Sequence, residues 1–311
     1  MKAAALLLLT TFFLGGCGSA QRLAYSPEGA VLASTRHASF FAQGLCVTAG
    51  DVENSGIALS ERTCAGLFDV TTGETLCAQN VYERVHPASL AKIMTALIAI
   101  ENGDLTKTIV ATANVGVRES GAQTIGLKEG DRMTLDQALH ILLIYSANDV
   151  ANFVAEGVAG SIERFAVLMN ERARSLGATG CHFTNPHGLT DSGQYVTTYD
   201  LYLIFNAAMQ YQEFREIIDT AQYASSYRRS DGTEVPVSIS ATNGFLTGAW
   251  AVPEGVTILG GKTGTTAAAG HCLIPYFTGR TGEEYVAVVM RTPDAATLQK
   301  EMTALLQNAA G

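Results

Sequence analysis

Val256-Thr257-Ile258-Leu259-Gly260-Gly261, Ala269-Gly270-His271-Cys272-Leu273-Ile274-Pro275-Tyr276-Phe277 and Glu284-Tyr285-Val286-Ala287-Val288-Val289-Met290-Arg291 are three short runs near the end of the chain. Their β-branched and aromatic residues, bounded by glycines and polar clusters, predict strands. Asp294 to Asn308 reads as a closing helix. Near the start, Ala65–Val70 and Thr75–Ala78 flank Thr72-Gly73, a turn-prone pair, and predict a hairpin that places Cys77 opposite Phe68. Helical patterns fill the space between. A chain with strands at both ends and helices in the middle is α+β. It closes one antiparallel sheet from both termini and inserts the middle as a helical lobe.

The first of those helices begins at His86-Pro87-Ala88-Ser89. Proline is favoured in a first turn because its missing N–H would be unpaired there anyway. Ile93, Leu97 and Ile100 form its apolar stripe, and Asn102-Gly103 supplies the stop. A second helix starts at Thr134, with Gln137 placed for a capping box, and ends near Tyr145-Ser146. Further helices are predicted over 148–158, 161–176 and 198–209.

Composition narrows the class. The chain has 311 residues, of which 47% are hydrophobic and 16% charged. That excludes a disordered chain and leaves enough material for a large core. A formal charge of -9 argues against nucleic acid as a partner. Met1-Lys2, the apolar run Ala3–Leu14 and Gly15-Gly16 read as a secretory signal over residues 1–16. Leu14-Gly15-Gly16-Cys17 resembles the bacterial lipobox, so Cys17 is the predicted lipidation site and the link to a membrane. Residues 17–56 read as a lipidated N-terminus and tether that orders near Cys46, and residues 57–311 as the folded domain. Cys46, Cys64, Cys77, Cys181 and Cys272 form no C-x-x-C pair and have no histidine at zinc-like spacing, so no metal site is predicted. Cys64 and Cys77 lie too far apart on the predicted hairpin to bridge, which leaves Cys46 as the better partner for Cys64.

Three short motifs carry chemistry. Ser89 and Lys92 stand one helical turn apart on one face. A serine hydroxyl needs a base to take its proton, and a lysine serves if burial or a nearby cation lowers its pKa. Ser146-Ala147-Asn148 lies at a break between helices, where a hydroxyl and an amide project freely. Lys262-Thr263-Gly264-Thr265 continues a strand-like run, with a glycine that allows close backbone approach. Each motif alone is common: a solvated Ser and Lys, a pair of helix caps, a glycine-rich turn. S-x-x-K, S-x-N and K-T-G in that order are the set shared by penicillin-binding proteins and class A β-lactamases.

The stretches around them extend the likeness. His86–Thr95, Asn185-Pro186-His187-Gly188-Leu189, and Gly261–Thr265 followed by Ala269-Gly270 resemble the D-alanyl-D-alanine carboxypeptidases of the low-molecular-mass penicillin-binding type, over about residues 60–310. Ala91 departs from the threonine usual before the lysine. The resemblance implies the penicillin-binding protein/β-lactamase-like transpeptidase fold. It also implies peptidoglycan stem peptides ending in D-Ala-D-Ala as substrate, and β-lactams as covalent inhibitors. It implies Ser89 as nucleophile, Lys92 as base, Ser146 as proton relay, and Asn148, Lys262, Thr263, Gly264 and Thr265 as substrate-binding residues. No metal or cofactor is implied, and the setting is the outer face of a bacterial membrane. His187 reads as a loop-packing residue, and the acidic residues of 101–131 as solvated surface. A β-lactamase would need a Glu in E-x-x-x-N after S-x-N. Glu156, Glu163 and Glu171 are followed four residues on by Gly160, Val167 and Ser175. A surface lipoprotein that binds wall peptides without turnover has no need of Ser89 with Lys92.

Overall fold

In the computed structural model, which describes residues 44–309, the strand-forming runs at the two ends of the chain meet in one sheet. The predicted signal, Cys17 and the first part of the tether lie outside the described residues. The elements in chain order begin with β1 (Cys64–Asp69), β2 (Glu74–Gln79) and α1 (Ala91–Asn102). The inserted middle comprises β3 (Thr108–Val110), β4 (Arg132–Thr134), α2 (Leu135–His140), α3 (Asn148–Ala159), α4 (Ile162–Ser175), α5 (Thr198–Ala208), α6 (Gln212–Ile218), β5 (Gln222–Arg228) and β6 (Glu234–Ser240). After α7 (Gly244–Thr247) the chain closes with β7 (Thr257–Thr266), β8 (Gly270–Thr278), β9 (Glu284–Thr292) and α8 (Ala295–Ala309). The main sheet is antiparallel, in the order β2-β1-β9-β8-β7, so the first hairpin docks on the last strand.

Period-two alternation gives this sheet two cores. Cys64, Phe68, Val286, Val288 and Met290 join the helical lobe, while Ala65, Leu67, Ala287 and Val289 pack under Leu298, Met302 and Leu305 of α8. Coverage on both faces explains the near-continuous apolar runs of β1 and β9. In the lobe, α1 is buried from Ala91 to Ala99 rather than along one stripe, because helices surround it. The Thr134–Gln137 capping box forms as predicted. The helix expected to begin at Pro87 starts instead as a 3-10 turn, Ala88–Leu90, before α1.

A second sheet, β3-β4-β5-β6, was not expected. Two of its strands are only three residues long, too short to show a period, and β5 and β6 alternate with half their side chains exposed. The first hairpin also corrects the predicted register. Cys77 pairs with Leu67, a bulge follows Leu67, and Asp69 pairs with Glu74. The Asp69 carboxylate accepts the N–H groups of Thr71 and Thr72, each at 2.9 Å, and so builds a longer loop than the two-residue turn. The expected Cys46–Cys64 pairing does not occur. Cys46 Sγ contacts the Asp69 carbonyl at 3.2 Å, at the far end of β1 from Cys64, and the five described cysteines are free. Five strand steps separate the two ends, about 17 Å, well beyond disulfide reach.

The segment before β1 is held to the fold. Cys46 N–H donates to Tyr202 Oη at 2.8 Å, and Val52 pairs with Ala78. Glu301 of α8 is buried, and its carboxylate accepts the Ser60 N–H at 2.8 Å, the Ser60 hydroxyl, and the Thr63 hydroxyl at 2.7 Å. Charge-assisted hydrogen bonds of this kind contribute more than neutral ones. Glu301→Ala is expected to lower folding stability by about 3 kcal/mol, because it leaves buried donors unpaired. Urea denaturation of the two proteins checks this.

Candidate active site

The three motifs sit at element boundaries, and the main sheet brings them together. Ser89 lies in the 3-10 turn that leads into α1. Its neighbour Ala88 adopts φ 47°, a left-handed conformation that costs a non-glycine residue about 1–2 kcal/mol. Packing enforces it. The Ala88 carbonyl lies against Gly188 so closely that a Cβ there would sit 1.8 Å from the oxygen. Gly188 itself has φ 88°, so the site requires glycine twice over. On the other side, β7 runs against the same turn, and a Cβ on Gly264 would approach Ser89 N to 3.0 Å.

One turn into α1, Lys92 is fully buried. Its Nζ lies 2.9 Å from Ser89 Oγ, 2.7 Å from Asn148 Oδ1 and 2.6 Å from the His187 carbonyl. Burial, and next the charge of Lys262, hold its pKa well below the usual lysine value, while Asp149 acts in the opposite direction. The contact set suits a neutral amine. Two carbonyl oxygens take its two N–H groups, and its lone pair faces a hydroxyl that has a proton to give.

Ser146 follows a π-helical turn, Ile141–Tyr145, and takes φ 69°. Such turns recur at functional sites because they re-aim the residues after them. Here Ser146 Oγ meets Lys262 Nζ at 2.9 Å. Lys262 also bonds the Thr263 carbonyl at 2.9 Å, and burial brings its pKa down to about 7. Asn148 is held at both ends of its amide. Oδ1 accepts from Lys92, and Nδ2 donates to the Gln123 carbonyl at 3.0 Å. Ser89, Ser146, Asn148, Thr263, Gly264 and Thr265 line one open cleft of about 420 Å³, with Lys92 and Lys262 beneath it.

The structure thus gathers all eight sequence-predicted residues of the three motifs, and it adds others. Thr242, just after β6, brings its hydroxyl against that of Thr263, and Trp250 stands at the rim. His187 contributes its backbone rather than its ring. The ring Nδ1 accepts the Leu189 N–H at 3.1 Å, and burial and the nearby Lys92 push its pKa down to about 3. Glu119, expected as plain surface, is the one carboxylate among the described residues that line the cleft. Glu156 is engaged elsewhere, by Thr112 and Asn114. Backbone acceptors such as the Gln123 and His187 carbonyls leave no mark in a sequence.

A family model described as D-alanyl-D-alanine carboxypeptidase, peptidase family S11, matches residues 60–294. The chain is 32% identical over 216 residues to D-alanyl-D-alanine carboxypeptidase DacF of Bacillus subtilis, covering 68% of this chain and 53% of that protein. It is 34% identical over 203 residues to DacB2 of Mycobacterium tuberculosis, with 65% of each covered. The solved Streptomyces K15 DD-transpeptidase superposes with a TM-score of 0.73 at 25% identity, over 83% of this chain and 99% of that one. This chain belongs to the D-alanyl-D-alanine carboxypeptidase family of serine peptidases, and its fold is the penicillin-binding one. It spans 53% and 65% of the lengths of the two curated relatives.

Gly188→Ala is expected to push the Ser89 turn off its seat. Acylation by a fluorescent penicillin should slow on the order of 10²-fold, since an ångström of misplacement has that effect. Labelling rates measured by gel fluorescence check it.

Proposed function

We propose that this protein is a serine-type D-Ala-D-Ala carboxypeptidase that trims the terminal D-Ala from peptidoglycan stem peptides. The observation that carries the reading is the seat of Lys92, a buried amine between two carbonyl acceptors and the Ser89 hydroxyl.

The reaction follows from that seat. Ser89 Oγ attacks the carbonyl carbon of the penultimate D-Ala while Lys92 takes the hydroxyl proton. The oxyanion lies against the backbone N–H groups of Ser89 and Thr265. Lys262 and the Thr263 hydroxyl receive the terminal carboxylate. Ser146, bonded to Lys262, passes a proton to the leaving nitrogen as the C–N bond breaks. D-Ala departs and leaves an ester on Ser89. The proton that Lys92 took makes good the one Ser146 gave up, so Lys92 is neutral again when water attacks the ester. Lys92 takes the water's proton and returns it to the departing Ser89 oxygen, and the shortened peptide is released. Asn148 keeps Lys92 aimed and has one N–H left to meet the peptide.

A β-lactam offers Ser89 a strained amide and offers Lys262 and Thr263 a carboxylate. Its leaving group stays tethered after ring opening and obstructs water, which supports a long-lived adduct and a penicillin-inhibited enzyme rather than a β-lactamase. Residues 1–16 would act as a lipoprotein signal, with Cys17 carrying the lipid. Residues 17–56 would form the tether, and residues 57–311 the catalytic domain outside the membrane. Among the described residues no helix is long and apolar enough to cross a membrane.

Mass spectrometry of a pentapeptide ending in D-Ala-D-Ala tests the reading. The protein should shorten it by one D-Ala and should hold penicillin covalently for minutes or longer. Ser89→Ala should do neither while keeping its fold. Retained turnover in that variant, or rapid turnover of penicillin by the unaltered protein, would overturn the reading.

The pH profile gives a second expectation. Lys262 is charged below about pH 7, and that charge depresses the Lys92 pKa. Lys262→Met removes the charge, so the Lys92 pKa rises and a higher pH is needed to free its lone pair. The acid limb of kcat/KM should move to higher pH, in addition to weaker substrate binding. Steady-state kinetics across pH check the direction.

A further inference from the structure

Asp149 follows Asn148 at the start of α3, and no step above uses it. Its side chain is buried, with 2% exposure for the residue. Four backbone N–H groups converge on the carboxylate: Ile125 at 3.2 Å, Gly126 at 2.9 Å, Leu127 at 2.9 Å and its own neighbour Val150 at 3.0 Å. Three of these belong to the loop 119–127, whose first half forms one wall of the catalytic cleft. In the same loop the Gln123 carbonyl accepts the Asn148 N–H at 2.8 Å and Nδ2 at 3.0 Å. With Nδ2 so held, the amide cannot turn over, and Oδ1 faces Lys92 Nζ at 2.7 Å.

We propose that Asp149 is a positioning residue of the active site: it clamps the cleft-wall loop so that Gln123 fixes the Asn148 amide, which in turn receives one N–H of Lys92. The inference rests on the reading of Lys92 as the base. A carboxylate suits the task, because two oxygens with several lone pairs accept from convergent donors, while an asparagine would turn an NH₂ against the loop N–H groups.

The same carboxylate acts on Lys92 through its charge. The ionisable groups that bear on Lys92 are Lys262 from β7, Asp149 from α3 and the neutral His187 ring from the 185–189 loop. Tyr227 of β5 is within electrostatic reach of Asp149, and also of Asp131 and Arg229. Among the described residues Asp149 is the one negative charge acting on Lys92, and it favours the protonated amine. Burial raises the pKa of Asp149 itself, and the four N–H donors oppose that rise. Removing that charge lowers the Lys92 pKa, so the lone pair becomes free at lower pH. A residue that only stabilised the fold would not move that limb.

The test is the acylation rate with a fluorescent penicillin against pH, for the intact protein, Asp149→Asn and Asp149→Glu. Amide hydrogen exchange of the intact protein is followed alongside. The Ile125, Gly126 and Leu127 amides should be protected. Asp149→Asn should acylate on the order of 10²-fold more slowly, with its acid limb moved to lower pH. Asp149→Glu should also slow, because the longer side chain misplaces the loop, but its limb should stay put. An Asn variant that acylates at the unaltered rate, or slows with its limb unmoved, overturns the proposal. So does free exchange at the three loop amides, a result that stands even if neither variant folds. Failure of the intact protein to acylate would instead strike the Ser89–Lys92 reading.

Discussion

The buried amine of Lys92 is the constraint around which the rest of the molecule is arranged. An ammonium in that position would lack water and face a second lysine, so the structure disfavours its charge. A neutral amine has two hydrogens and one lone pair, and its three neighbours complement it. The Asn148 and His187 oxygens take the hydrogens, and the Ser89 hydroxyl faces the lone pair. Burial therefore does two jobs with one arrangement. It makes the amine basic in function at moderate pH, and it fixes which atom the lone pair addresses.

Each of those neighbours is supplied by a different part of the fold. Ser89 comes from the turn into α1, Asn148 from the start of α3, and the His187 carbonyl from a loop that precedes α5. The last strands of the chain add Lys262 and the edge of β7. Since β7 packs on the nucleophile turn through Gly264, the depth of Ser89 depends on the sheet that β7 forms with β8 and β9. Most contacts of the catalytic set join residues far apart in sequence, so the site exists only in the tertiary fold.

Part of the backbone strain lies in the same place. Ala88 and Ser146 are two of the four described non-glycine residues with positive φ, and both adjoin or belong to the catalytic set. Packing against Gly188 holds the first, and the π-helical turn delivers the second. These conformations are tolerated because a dense core surrounds them, with α1 buried over three-quarters of its length.

By itself the sequence determined the identity and order of the reacting groups. S-x-x-K, S-x-N and K-T-G lie at helix starts, breaks and strand ends, and local signals mark those boundaries: Pro87, the Tyr145-Ser146 stop, and the apolar run before Lys262. The strands of the main sheet were legible because burial on both faces demands continuous apolar residues. Only the tertiary structure decided the rest. Register in the first hairpin turned on a bulge and on the Asp69 carboxylate, neither of which hydrophobic pattern encodes. The small second sheet depends on strands too short to show a period. The state of Lys92 depends on which oxygens surround it. Two of the key acceptors are backbone carbonyls, of His187 and Gln123, and every residue carries one of those. Their significance arises from where the chain folds them, and no residue type announces it.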